Sequence, residues 1–206
     1  MLESFNQSWF LSVNASSGTS AGVILFAKIC AQYSLFVIPL IILKLWFFGN
    51  EQTRRQALSC VITSLFALGL GALCSHIYYH PRPFMIPIGH TWMAHAPDAS
   101  FPSDHGTLFF SAAVALMLSR ATIYGSVLLI LSCFVAWSRV FLGVHFPFDM
   151  VGAVIIALLA NMIIFPLWKV YGEPLTKFCE SISYKFFFWF PFSQNAKSTE
   201  KKMNFH

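Results

Sequence analysis

Apolar residues run almost unbroken through five stretches of this chain, roughly 22–48, 57–79, 105–119, 121–142 and 147–168. An α-helix needs about 20 such residues to cross the hydrocarbon of a bilayer. The pattern therefore predicts five crossings. The third is short unless Phe101-Pro102-Ser103-Asp104-His105 caps it, and Gly143-Val144-His145-Phe146-Pro147 separates the fourth from the fifth. Ahead of the first crossing, Leu2, Phe5, Trp9 and Val13 recur near helical spacing, which suggests a short helix lying on the membrane surface within residues 1–20. An unstructured tail is the alternative. This segment has no basic start and is broken by Asn6, Gln7, Ser8, Asn14 and Ser16-Ser17-Gly18-Thr19-Ser20, so it does not read as a cleavable signal. Beyond Tyr171 the chain turns polar and basic, a cytoplasmic tail over 172–206, apart from Phe186-Phe187-Phe188-Trp189-Phe190, which reads as an interfacial patch. The expectation is one membrane-embedded, all-α domain of five or six helices.

Composition supports this. The chain is 57% hydrophobic and 10% charged, against about 25% charged in a soluble domain. Cys30, Cys60, Cys74, Cys133 and Cys179 are odd in number and lack a CxxC pair, which argues against a disulfide framework or a zinc site. They read as small buried hydrophobes.

The position of the charge says more than its total. Lys44, Arg54, Arg55, Arg120, Lys169, Lys177, Lys185, Lys197, Lys201 and Lys202 all fall on one side if the crossings alternate, and the positive-inside rule makes that side cytoplasmic. Arg82 and Arg139 lie opposite, and Lys28 lies in the outer part of the first crossing. Arginines kept on the disfavoured side need a local reason, and anion binding supplies one.

Three segments meet on that outer side. They are Tyr79-His80-Pro81-Arg82-Pro83-Phe84, Phe101-Pro102-Ser103-Asp104-His105-Gly106, and the stretch from Ser138-Arg139 through His145 to Asp149. Phosphoryl transfer needs fixed donors around three oxygens. Arg82 and Arg139 fit, Ser103 adds a hydroxyl, and a helix N-terminus adds backbone N–H groups. His105 and His145 can serve as acid and nucleophile. Asp149, four residues after His145, would hold the ring. Taken singly these are weak signals. Ser103-Asp104 before an apolar run is first of all a helix cap, and His145 with Asp149 also reads as a structural pair. Together, at helix ends on one side, they point to phosphate chemistry.

These residues resemble the type-2 phosphatidic acid phosphatase superfamily, whose pattern is Lys-x6-Arg-Pro, Pro-Ser-Gly-His and Ser-Arg-x5-His-x3-Asp. The third motif is complete as Ser138, Arg139, His145 and Asp149. The second has Asp104 in place of glycine, and the first has Ser75 in place of lysine. The strings HPRPF, SFPSDHGT and AWSRVFLGVHFPFDM look like the BcrC-type undecaprenyl-diphosphate phosphatases. The resemblance implies hydrolysis of a polyprenyl diphosphate lipid at the outer face of a bacterial inner membrane, recycling the cell-wall carrier, with bacitracin resistance. It implies a phosphohistidine on His145 oriented by Asp149, proton transfer by His105, and phosphate held by Arg82, Ser103 and Arg139. Asp104 and Ser138 would support the site from behind. Lys28, pointing inward, would supply the missing cation; the alternative is that it snorkels to the interface. No cofactor, metal or nucleic acid is implied, and membrane lipids are its surroundings. Other lipid phosphates, a phosphotransferase acceptor and a small transporter are the rival readings.

Overall fold

A computed structural model describes residues 1–188 of the 206, and they are all-helical apart from turns and loops. In chain order the α-helices are α1 (Leu2–Val13), α2 (Ala21–Gln32), α3 (Val37–Phe47), α4 (Glu51–Ile77), α5 (Asp104–Leu118), α6 (Thr122–Phe141) and α7 (Pro147–Phe188). By length and composition four segments can cross a membrane: Ala21–Phe47, Glu51–Ile77, Thr122–Phe141 and Pro147–Lys185. α5 is an apolar helix of 15 residues.

Helix α5 is the central post, packed against α4, α6 and α7. Its buried face is mostly small: Gly106, Thr107, Ser111, Ala112, Ala113 and Ala115, with Phe109 and Leu116 as fillers. Small faces let helix backbones approach where lipid removes any hydrophobic drive between helices. Polar contacts then lock the register. Asn161 of α7 donates to the Ser111 carbonyl at 3.2 Å, Ser111 donates to Ser64 at 3.4 Å, and Gln56 donates to the Ser119 carbonyl at 2.9 Å.

The predicted first crossing is divided by a 3₁₀ turn over Tyr33–Phe36. Pro39 explains the break, since its ring opposes the carbonyl four residues back, that of Leu35. The second crossing begins six residues before the expected 57, because Asn50 caps Glu51–Ile77 by accepting from Thr53 N at 3.0 Å. The helix of the fifth stretch does not end near the expected 168: α7 continues unbroken through Pro166 and Pro174 into the polar segment, to Phe188. Arg54 of α4 holds that extension through Glu180 at 3.1 Å and Tyr184 at 3.4 Å. The side chains of the aromatic patch and the lysines at 197, 201 and 202 lie outside the described residues.

The helix expected within residues 1–20 is present as α1. It exposes Leu2, Phe5 and Trp9 and buries Asn6 and Phe10. Asn6 accepts from Phe148 N at 3.1 Å, and the Phe10 ring meets Phe146 with centroids 5.2 Å apart. Asn14 receives His90 N at 2.7 Å and donates to the carbonyls of His90 and Phe141 at 2.9 and 3.1 Å. α6 ends on Gly143 at φ +80, with Val144 N reaching back to the Arg139 carbonyl at 3.1 Å. This is the left-handed helix stop that favours glycine.

Substituting Gly143→Ala should therefore cost about 1–3 kcal/mol, because the new Cβ is strained at positive φ and would lie 2.1 Å from the His90 carbonyl oxygen. Thermal melting of the purified protein in detergent checks this, and an unchanged midpoint would show that the 86–100 loop yields freely.

Candidate active site

The ends of α4 and α6 and the starts of α5 and α7 converge at one end of the bundle, closed over by the loop between α4 and α5. Six polar side chains there are nearly out of reach of solvent: Arg82, Ser100, Ser103, Arg139, His145 and Asp149 are each at most 4% exposed. Such groups are costly to bury unless hydrogen-bonded, so their partners define what the site can do.

Asp149 occupies the first turn of α7, where the helix dipole favours a carboxylate. Its Oδ2 accepts from Phe146 N at 2.7 Å, from the Ser100 hydroxyl, and from His145 Nδ1 at 3.2 Å. A carboxylate can only accept, so the His145 proton is assigned to Nδ1. Nε2 then carries the lone pair, which accepts from Arg82 Nη1 at 2.9 Å. Burial pushes the His145 ring down to about 3, although Asp149 pulls the other way. The result is a neutral imidazole with one oriented lone pair.

The two arginines are not equivalent. Every nitrogen of Arg82 has a partner: Nε donates to Asp98 at 2.7 Å, Nη1 also to the Val144 carbonyl at 2.9 Å, and Nη2 to the Ala99 carbonyl at 3.2 Å. Arg139 is not, since its Nε and Nη2 are buried with no hydrogen-bond partner among the described residues. A desolvated guanidinium with empty donors is an anion site in waiting. Burial alone would raise the Asp98 carboxyl, but Arg82 outweighs it and holds the group below the usual carboxylate range.

Ser103 caps α5, its hydroxyl accepting from Gly106 N at 3.4 Å. It is buried beside Asp149, whose carbonyl receives Ser103 N at 3.2 Å. Asp104 and His105 follow in the first turn, and neither makes a side-chain hydrogen bond or ion pair among the described residues. Ser138 turns back into its own helix, donating to the Val135 carbonyl at 2.8 Å. Lys28 likewise makes no hydrogen bond or ion pair there, with Arg82, Arg139, Asp104 or any other described residue. Ser75 donates to the Phe101 carbonyl at 2.9 Å and so braces the loop leading to Ser103.

Sequence reasoning missed four residues that the fold brings here. Ser100 donates to Asp149 and lies 3.3 Å from His145 Nδ1. His80 lies 3.9 Å from Asp149 Oδ1. The His95 ring is 6.1 Å from that of His145, and burial with the two arginines lowers its pKa. Asp98 holds Arg82. All four lie in the loop between α4 and α5, where no periodicity marks which polar side chains turn inward.

The PAP2 superfamily matches residues 56–171. The chain is 35% identical to YbjG of Escherichia coli over 175 residues, 85% of this chain and 88% of that protein. It is 35% identical to the undecaprenyl-diphosphatase BcrC of Bacillus subtilis over 134 residues, 65% and 69% of the two chains. A transmembrane PAP2-type phosphatidylglycerolphosphate phosphatase from Bacillus subtilis shares the fold at a TM-score of 0.59 and 17% identity, over 82% of this chain and 86% of that one.

The depressed His145 has a signed consequence for stability. Between an ordinary histidine value of about 6.5 and about 3 the unfolded chain takes a proton that the folded ring refuses. Acidification through that window therefore destabilises the fold. Melting temperatures followed from pH 7 toward pH 4 should fall less steeply for His145→Gln than for the unaltered chain. Parallel curves would show that His145 is protonated in the folded state.

Proposed function

This chain belongs to the PAP2 superfamily, and from that membership and the site's geometry we propose that it hydrolyses undecaprenyl diphosphate to undecaprenyl phosphate and inorganic phosphate. The observation that carries the reading is the buried His145–Asp149 pair beside an arginine with empty donors, in a chain 35% identical to a named undecaprenyl-diphosphatase. A wholly apolar groove lined by Trp9, Phe110, Val140, Met150 and Val154 supports a lipid substrate, since Val140 and Met150 directly follow Arg139 and Asp149.

The reaction proceeds in two displacements. Arg139, with the N–H groups that open α5, binds the terminal phosphoryl oxygens. Arg82 swings from His145 Nε2 to an oxygen and so releases the lone pair. Nε2 attacks the terminal phosphorus, the bond to the bridging oxygen breaks, and His105, brought into its protonated form by the negative charge of the bound diphosphate, gives that oxygen its proton as undecaprenyl phosphate leaves. The phosphorylated ring is cationic, with Nδ1–H held on Asp149. His105, now a base, takes a proton from water, whose oxygen attacks phosphorus as the P–N bond breaks. Inorganic phosphate departs and both histidines return to their starting state. The arginines carry the charge that a metal would otherwise neutralise, and no cluster of three His, Cys, Asp or Glu able to hold an ion occurs among the described residues.

The setting proposed is a bacterial inner membrane with the site facing the periplasm, where the enzyme recycles the cell-wall lipid carrier and contributes to bacitracin resistance. Lys44, Arg54, Arg55, Arg120 and Lys169 sit toward the end of the bundle opposite the site, as the positive-inside rule requires of the cytoplasmic end.

Two experiments test this. Purified protein should release phosphate from undecaprenyl diphosphate faster than from phosphatidic acid or phosphatidylglycerol phosphate, in EDTA, with inhibition by vanadate. In the same assay His145→Ala should abolish turnover and acid-quench trapping should place phosphate on His145. Phosphate trapped elsewhere would remove the nucleophile assignment. For sidedness, a reporter joined after Lys202 should be active only in the cytoplasm; periplasmic activity would invert the topology and end the recycling role.

A further inference from the structure

One oxygen of Asp149 is crowded with donors and the other has none. Oδ1 is buried without a hydrogen-bond partner among the described residues, and so is Nδ1 of His80, 3.9 Å from it. On its far side the His80 ring places Nε2 3.3 Å from Oε2 of Glu3 in α1. The other Glu3 oxygen accepts from Gln7 at 3.0 Å. The ring is fixed in that position. Tyr78 stacks on it at 6.1 Å and 14°, the Phe146 edge meets it at 5.3 Å, and the His80 carbonyl receives Ser100 N at 2.8 Å. Its charged neighbours are thus Glu3 from α1 and Asp149 from α7, with the Tyr78 phenol beyond the stacked face.

Carboxylates accept and never donate, so a ring between two of them satisfies both only with a proton on each nitrogen. In that form Nδ1–H points at the orphaned Asp149 oxygen, and a movement of about 1 Å closes a normal hydrogen bond. We propose that His80 is a positioning residue, bridging Glu3 of the surface helix to Asp149 and so fixing the carboxylate that orients His145. The bridge makes α1 part of the catalytic apparatus. Its tip, Glu3, would reach the nucleophile through two side chains. The proposal rests on the reading of His145 as nucleophile, since it is through that ring that a fixed Asp149 acts.

The ring nitrogens can be tested separately. An asparagine amide overlays Nδ1 and keeps the donor to Asp149, whereas a glutamine amide overlays Nε2 and keeps only the contact to Glu3. With undecaprenyl diphosphate and full-length protein in detergent, His80→Asn should stay within about threefold of the starting kcat. His80→Gln should lose about ten- to a hundredfold in kcat at unchanged KM. Equal activity of the two variants would overturn the proposal, because a purely structural role does not tell the two amides apart. Glu3→Ala, at an exposed carboxylate, gives an arm that does not depend on how the His80 variants fold. It should lower kcat severalfold on its own and change nothing in the His80→Asn background, where Glu3 is out of reach. The same drop in both backgrounds would break the bridge. His145→Ala run alongside separates the two ideas. If it is inert while His80→Asn and His80→Gln match, the bridge fails and the nucleophile stands; if it keeps full turnover, the nucleophile reading falls and takes the bridge with it.

Discussion

A carboxylate at 1% exposure must be surrounded by donors, and Asp149 organises this end of the bundle by that requirement. The demand of its Oδ2 is met from three directions. The turn entering α7 supplies Phe146 N, the long loop supplies Ser100, and His145 supplies Nδ1–H. Each donor fixes a piece of backbone that carries another functional group. Ser100 holds the loop that ends in Ser103, and Phe146 N shapes the turn that presents His145. The left-handed Gly143 is what lets α6 stop at Phe141, ahead of that turn, while keeping Arg139 on its last turn. Helix capping and site assembly are one set of hydrogen bonds here.

The charge pattern follows from the same constraint. His145 stays neutral because it is desolvated, and its remaining lone pair is aimed by the tautomer that Asp149 imposes. Of the two guanidiniums beside it, Arg82 is held by Asp98 and three other acceptors, whereas Arg139 keeps buried donors empty. One arginine maintains the architecture and covers the proposed nucleophile, and the other waits for an anion. This division of labour is invisible in a motif that prints both as Arg.

How much of this was legible in the sequence depends on whether local pattern or tertiary contact decides each feature. The apolar helices were legible because burial in lipid needs long apolar runs, and two predicted runs lie within a few residues of α5 and α6. Among the described residues four segments, not five, are long enough to cross, α5 being the short one. The start of α4 and the length of α7 were not, since an asparagine cap and the Arg54–Glu180 contact set them across distant sequence. His145, Asp149, Arg82 and Arg139 were legible because the spacing of helix ends and a familiar motif carry them. Ser100, His80 and Asp98 were not. Nothing in a polar loop says which side chains turn inward until the loop is tied down, here by Ser100 N on the His80 carbonyl and Trp92 N on the Leu142 carbonyl. Ser138, which the motif includes, donates its hydroxyl to its own helix.

Ser75 shows how a departure from the family pattern changes the site's physics. Where the pattern has a lysine, the hydroxyl braces the Phe101 carbonyl and so steadies Pro102 and the cap of α5. Among the described residues Lys28 makes no hydrogen bond or ion pair that would replace the lost charge. Two guanidiniums therefore share the pocket with the carboxylates of Asp98, Asp104 and Asp149, an arrangement with no surplus of positive charge before any histidine is protonated. Such a pocket draws a free phosphate weakly. A substrate anchored by its hydrocarbon is already concentrated at the membrane, so ground-state attraction by the pocket is not what limits its capture. In the proposed reaction the donors that Arg139 keeps empty hold the terminal phosphoryl oxygens, and they accelerate it only so far as they bind the charge that develops as the phosphoryl group moves more tightly than the charge of the bound substrate. A cation-poor pocket under a lipid surface is thus a consistent design for a proposed phosphatase that meets its substrate only in the membrane.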